Sequence, residues 1–139
     1  MTRLFVDTNV ILDLLLDRSP HSEAASKLFS LADTRQLYLT TSALSLVNVE
    51  YFLRKATTGK QARSLIAELR NRCGVATAGA EQVDAAILST FSDFEDAYQH
   101  ACAISAGCAA MVTRDQRGFK KSTLPVFTAA AFITSYLSW

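Results

Sequence analysis

The strongest constraint on this chain is an alternation. Five short apolar runs, Leu4-Phe5-Val6, Leu37-Tyr38-Leu39-Thr40, Cys73 to Ala76, Ala110-Met111-Val112-Thr113 and Pro125-Val126-Phe127, are separated by stretches in which apolar residues recur with helical spacing. Those stretches cover about Val10 to Leu16, His21 to Ala32, a segment capped by Ser42 that runs to about Lys55, Gly59 to Arg72, Ala80 to Thr90, Asp93 to Ala106 and Ala129 to Leu137. In the fourth, Ala62, Leu65, Ile66 and Leu69 fall at i, i+3, i+4 and i+7, with charges on the opposite face. The apolar runs lack the period-two alternation of a half-exposed strand, so they read as strands buried on both faces. Interleaved with helices, they predict an α/β fold with a parallel sheet covered on both sides.

At 139 residues the chain suits one domain, since folds of about 150 residues bury roughly 68–70% of their unfolded surface around one core. Half of its residues are hydrophobic and 14 Lys and Arg offset 13 Asp and Glu, which excludes disorder as the overall state. A net charge of +1 does not by itself announce a nucleic-acid partner. Cys73, Cys102 and Cys108 form no CxxC pair and read as small buried residues in a reducing cytosol. The N-terminus reaches Asp7 before any apolar stretch of signal-peptide length, and the uncharged stretch from Ser122 carries Pro125 and six Ser or Thr, so neither end reads as a leader or a membrane span.

In a parallel α/β sheet, ligands bind outside the carboxyl ends of the strands. Asp7 directly follows the first strand and Asp115 lies two residues beyond the fourth, so both fall on that edge. Asp93 and Asp96 stand three apart on one helix and share a face near its N-terminus, where the helix dipole favours anions. Carboxylates gathered at one edge repel each other unless a cation neutralises them, and a hard divalent ion that takes oxygen ligands is the natural answer. Such an ion suits the hydrolysis of a phosphodiester by in-line displacement. Each residue also has a plainer reading: Asp93 as a helix cap with Asp96 in its first turn, Asn9 as a cap, and Asp115 as a partner of Arg114 or Arg117.

The segment Val6-Asp7-Thr8-Asn9-Val10-Ile11-Leu12-Asp13 resembles the opening of PIN domains, whose first strand ends in Asp-Thr-Asn. Phe94-Glu95-Asp96-Ala97, with Ala101 downstream, is similar to the Asp-Ala helix start of that family, and Val112-Thr113-Arg114-Asp115 followed by Phe119 resembles its late strand-end motif. The likeness covers nearly the whole chain in order. It implies a three-layer α/β/α sandwich with a roughly five-stranded parallel sheet, residues 1–139 as a single PIN-like domain, and a cytoplasmic endoribonuclease of the VapC-like toxin group that depends on Mg²⁺ or Mn²⁺. It assigns catalytic, metal-binding carboxylates to Asp7, Asp96 and Asp115, with Asn9 and Thr113 as supporting polar groups; Asp93 is a further candidate ligand on the same helical face.

One position departs from the pattern. The family has Glu about six residues after the Ser that caps the helix following the second strand, and counting from Ser42 that position is Asn48, with Glu50 two residues on. Two helical residues are a rotation of about 200°, so the two cannot face the same way on a regular helix. Either Asn48 supports the site with a neutral amide, or a register shift lets Glu50 reach it; Glu50 could equally pair with Arg54 at i, i+4.

The charges are segregated along the chain. Six basic residues lie between Arg54 and Arg72 against Glu68 alone, four more lie between Arg114 and Lys121 against Asp115, and acids at 81, 84, 93, 95 and 96 have no base among them. Basic groups beside an acidic, metal-bearing pocket would hold RNA phosphates without reading sequence. Leu12, Leu14, Leu15, Leu16, Phe29, Tyr51, Phe52 and Leu53 exceed the need of one helix face. By the resemblance, the early helices would bind an antitoxin protein or a second copy in a homodimer, while core packing explains most of them equally well. Two rivals share these features: a PIN-fold binding module with a degenerate metal site, for which Asn48 argues, and a phosphohydrolase of small molecules.

Overall fold

The computed structural model describes residues 2–34 and 36–138; Met1, Arg35 and Trp139, and with them both ends of the expected domain, lie outside the described residues. The elements run β1 (Thr2–Val6), α1 (Thr8–Leu15), α2 (Ser22–Asp33), β2 (Leu37–Thr41), α3 (Ala43–Ala56), α4 (Gly59–Arg70), β3 (Gly74–Val75), α5 (Ala80–Leu88), α6 (Phe94–Ser105), β4 (Ala110–Val112), a 3₁₀ turn (Arg117–Phe119), β5 (Val126–Phe127) and α7 (Ala129–Leu137). The five strands form one sheet in the order β3-β2-β1-β4-β5, every neighbouring pair parallel. This is the α/β architecture that the alternation predicts.

Four of the five apolar runs feed two cores, which is why they do not alternate with polar residues; in β2 Leu37 and Leu39 are buried while Tyr38 is exposed. Leu4, Val6, Leu37, Leu39, Ala110 and Val112 face the larger core, built with Val10, Ile11, Leu28, Phe29, Val49, Leu53 and Phe132 from α1, α2, α3 and α7. Phe5 and Met111 point to the other side and pack with Cys102, Ala103, Cys108 and Phe119. Full burial of one such side chain contributes roughly 1.5–3 kcal/mol. The leucines of α1 belong to this packing: Leu12 is buried, and Leu14, Leu15 and Leu16 lie against the core. Exposed large apolar side chains are found on α3, at Val47, Tyr51 and Phe52, and on α5, at Val83, Ile87 and Leu88. The three cysteines are free and buried, and burial pushes the thiols of Cys73 and Cys108 up to about 12 and about 11, so they stay protonated and inert.

Several helices shorten relative to their sequence patterns. The fourth ends at Arg70 because the amides of Asn71 and Arg72 turn back to the Glu68 and Leu69 carbonyls in tighter i to i−3 bonds. Among the described residues no helix is long and apolar enough to cross a membrane.

The strand order reverses between β1 and β4: β2 and β3 extend the sheet on one side of β1, and β4 and β5 on the other. At such a switch the connections leave towards opposite faces and open a crevice at the carboxyl edge. The two strands end in register, Val6 opposite Val112, and the ladder continues one bond further as the Asp7 amide donates to the Val112 carbonyl at 3.0 Å. Asp7 and Thr113 are thereby the first residues on the floor of the crevice.

Candidate active site

Asp7 is 8% exposed and caps α1, accepting the Thr8 amide on Oδ1 at 2.8 Å. Its Oδ2 accepts the hydroxyl of fully buried Thr113, also at 2.8 Å. Burial pushes the Asp7 carboxyl up from its ordinary value; these two hydrogen bonds oppose the shift, and Asp115 adds to it. Asn9 acts as a cross-brace rather than a helix cap: Nδ2 donates to Thr113 Oγ1 at 3.4 Å, and Oδ1 accepts the Arg114 amide at 3.2 Å. Thr113 also accepts the Asp115 amide at 3.0 Å. One strand-end Asp-Thr-Asn and one strand-end Thr-Arg-Asp are therefore stitched together by side chains.

Asp93 caps α6, its Oδ1 accepting the Asp96 amide at 2.9 Å. The plainer reading of Asp93 holds in this respect. Asp96, half-buried in the first turn, has its carboxyl pushed up to about 7, first by loss of solvent and then by Asp93, Asp7, Asp115 and Glu95. Glu95 is raised as well, by partial burial and then by Asp7 and Asp93. Five acids thus sense one another around one crevice. Gly118 marks where two of them converge: its amide donates to Asp115 Oδ1 at 3.2 Å, and a Cβ added there would collide with Asp96 Oδ2 and stand 2.7 Å from Asp115 Oδ2. A side chain here would displace at least one of the two carboxylates.

On α3 the direction of Glu50 is plain. Glu50 turns to Arg54, which donates from Nε and Nη2 at 3.1–3.2 Å, so Glu50 belongs to the face shared with α4 and does not reach the acidic crevice. Asn48 is half-buried and lies one turn beyond Ser45. Ser45 is buried between two elements of the site: its Oγ accepts Thr8 Oγ1 at 2.9 Å and Gln99 Nε2 at 2.8 Å. Gln99 stands one turn after Asp96, fully buried, with its Oε1 atom lacking a hydrogen-bond partner. The chain Thr8–Ser45–Gln99 ties the starts of α1, α3 and α6 together. Sequence reasoning missed Gln99 and Gly118; the signal available for Gln99 was its i+3 spacing from Asp96.

Asp115 does not pair with Arg114. That guanidinium reaches the other way, donating to Asp13 from Nε at 2.7 Å and from Nη2 at 3.1 Å. Arg18 Nε joins the same carboxylate at 3.0 Å. In the first basic stretch, Arg54 is held by Glu50, Arg70 by the Cys73 carbonyl and Arg72 by Asp33, so half of it is engaged in structural contacts.

None of the ion pairs among the described residues involves Asp7, Asp93, Asp96 or Asp115. Among the described residues, no three or more His, Cys, Asp or Glu side chains form a group ready to hold a metal ion. The donor chemistry nonetheless fits a hard divalent cation: oxygen ligands only, mutual repulsion with no protein cation to relieve it, and a glycine that leaves Asp96 and Asp115 open to each other.

A parallel α/β sheet whose strand order reverses, with carboxylates that form no ion pair at the switch point, defines the class of α/β folds with a carboxyl-edge site. Within it, a model of the PIN domain matches residues 3–117, and the chain belongs to the PIN domain family. Ribonuclease VapC1 of Aquifex aeolicus (strain VF5) is 28% identical over 135 residues, 94% of this chain and 92% of that protein. Among solved structures, VapBC2 from Rickettsia felis, bound to a DNA fragment from its promoter, superposes with a TM-score of 0.66 at 16% identity, covering 90% of this chain and 97% of the other. Mycobacterium tuberculosis VapC20, a sarcin-ricin loop cleaving toxin, gives 0.62 at 18% identity over 78% and 86% of the two chains. These structural likenesses establish the fold.

Proposed function

We propose that this chain is a metal-dependent endoribonuclease that hydrolyses RNA phosphodiesters, acting as one domain in the cytoplasm as the toxin of a toxin–antitoxin pair, with an antitoxin protein and a second copy as partners. The observation that carries the reading is the set of carboxylates that form no ion pair with a protein cation, at the carboxyl edge where the strand order reverses. The ribonuclease named among its relatives supports the substrate class. Asp7, Asp96 and Asp115 would hold Mg²⁺ or Mn²⁺, with Asp93 at the rim. When bound, such an ion supplies Lewis-acid charge to a phosphodiester and makes water more acidic. The chain's own contribution is orientation: Thr113 and the Thr8 amide fix both oxygens of Asp7, Asn9 locks the β4 loop to α1, and Gly118 keeps Asp96 and Asp115 unobstructed. Asp96→Asn is expected to lower Mg²⁺-dependent cleavage of a purified RNA by about a hundredfold or more; undiminished cleavage would sink the assignment.

A second reading, a binding module with a degenerate site, is favoured by the neutral Asn48. Calorimetric titration separates the two: tight Mn²⁺ binding that Asp7→Asn removes excludes the degenerate module.

A further inference from the structure

We propose that Arg18 and Arg114, with the first turn of α7, form a subsite for a backbone phosphate of the RNA strand beside the one at the acidic crevice. The inference rests on the nuclease reading above and names the cationic half of that site.

Asp13 is 1% exposed and takes both guanidinium groups, so the cluster holds two positive charges against one negative. The arginines are not used up by it. Arg114 commits Nε and Nη2 to Asp13; Arg18 commits Nε to Asp13 and Nη2 to the Asn9 carbonyl at 3.2 Å. Each guanidinium has five N–H donors, so each keeps its Nη1 pair for a ligand. Both side chains remain open to solvent, 39% for Arg18 and 36% for Arg114. A guanidinium held rigidly by one carboxylate and presenting its other edge is well made for a phosphate oxygen.

Arg114 and Asp13 line one side of a groove of about 330 Å³ whose lining also includes His21, Thr128 and Ala130 among small apolar residues of α1, α2 and α7; Arg18 joins it through Asp13. Its far wall is the start of α7, which follows β5 at the same carboxyl edge of the sheet. The Thr128 hydroxyl accepts the Ala131 amide at 3.1 Å, and the Ala129 and Ala130 amides, first in the helix, have no intrahelical acceptor. The subsite is continuous with the crevice, because Asn9 contacts both: its side chain accepts the Arg114 amide and donates to Thr113, and its carbonyl accepts Arg18. A polyanion crossing this edge therefore meets a carboxylate-lined pocket and, next to it, an excess of guanidinium charge. The phosphodiester backbone is the chemistry that uses both.

The test measures binding without cleavage, by fluorescence anisotropy of a labelled single-stranded RNA oligonucleotide with the full chain in EDTA across a salt series. Ala130→Glu puts a carboxylate on an exposed first-turn position where the helix dipole favours it, so the variant should fold. It is expected to weaken RNA binding about tenfold and to reduce the slope of log affinity against log salt by about 0.7. Arg18→Gln should act in the same direction, Arg18→Lys should restore most of the salt slope, and Arg72→Gln, remote and paired with Asp33, should change neither. The proposal is overturned if Ala130→Glu and Arg18→Gln bind as the parent chain does, or if Arg72→Gln weakens binding as much as they do. In that event cleavage by the parent chain still stands for the nuclease reading; a parent chain that neither binds nor cleaves RNA removes both.

Discussion

Asp7 and Asp13 lie six residues apart, are both buried, and are treated in opposite ways. Asp13 receives two arginines, one of them from 101 residues away in sequence. Asp7 receives a hydroxyl and an amide but no cation, and its nearest charged neighbours are acids. A buried charge without a counter-ion is costly, and the arginine next to Asp115 is turned away from the crevice to complete the Asp13 cluster. The contrast separates a carboxylate that the protein neutralises for its own stability from carboxylates it leaves for an external cation.

The same substitution at both positions gives the largest test of that contrast. Asp13→Asn should cost about 1–3 kcal/mol of stability in urea denaturation, because it weakens the charge-assisted hydrogen bonds that a buried carboxylate accepts from two half-exposed guanidinium groups. Asp7→Asn should leave the metal-free chain as stable as before or more so. Similar losses at both positions would break the distinction.

Asn48→Glu sharpens it from the other side. If the half-buried Asn48 faces the acidic cluster, adding a carboxylate there tightens Mn²⁺ binding by about tenfold in calorimetry and lowers metal-free stability. A Glu50→Gln variant, which only loosens Arg54, should do neither.

The smallest effect is in the pH dependence. Asp96 sits at about 7 in the folded chain against an ordinary 3.8, so it is the folded state that holds the proton more tightly. Its contribution to stability is complete below about pH 4 and is lost as pH rises through about 7. Metal-free melting temperatures of the parent chain should therefore fall relative to Asp96→Asn between pH 5 and 8, and added Mg²⁺ should reduce the gap. A gap that does not vary with pH would mean that the neighbouring acids do not press on Asp96.

The fold was legible because its signals are local. Short two-faced strands and helical periodicity need no partner to be recognised, and all five strands and seven helices stand where their patterns fall, with ends displaced by a residue or two by caps and 3₁₀ closures. The positions of Asp7, Asp96 and Asp115 on one edge follow from the same topology. What could not be read was any choice between partners distant in sequence. Nothing in Thr113-Arg114-Asp115 says that Arg114 turns to Asp13 instead of its neighbour. The collision that Gly118 avoids, and the link from Gln99 to Ser45, exist only once α6 is packed. The choice between partner binding and core packing for the leucines of α1 is not in the sequence, because the sequence does not reveal that this helix packs against both α2 and α3.

The pairing of β1 with β4 also sets an order in time. Asp7 is made at the start of synthesis, yet its amide and carboxylate partners, Val112 and Thr113, come more than a hundred residues later. A growing chain that has not yet released β4 from the ribosome has no crevice, no Asp115 and no Arg114 to join Arg18 on Asp13. Contacts this distant are late events in folding. The fold thus delays assembly of the acidic crevice until β4 and the loop after it have emerged.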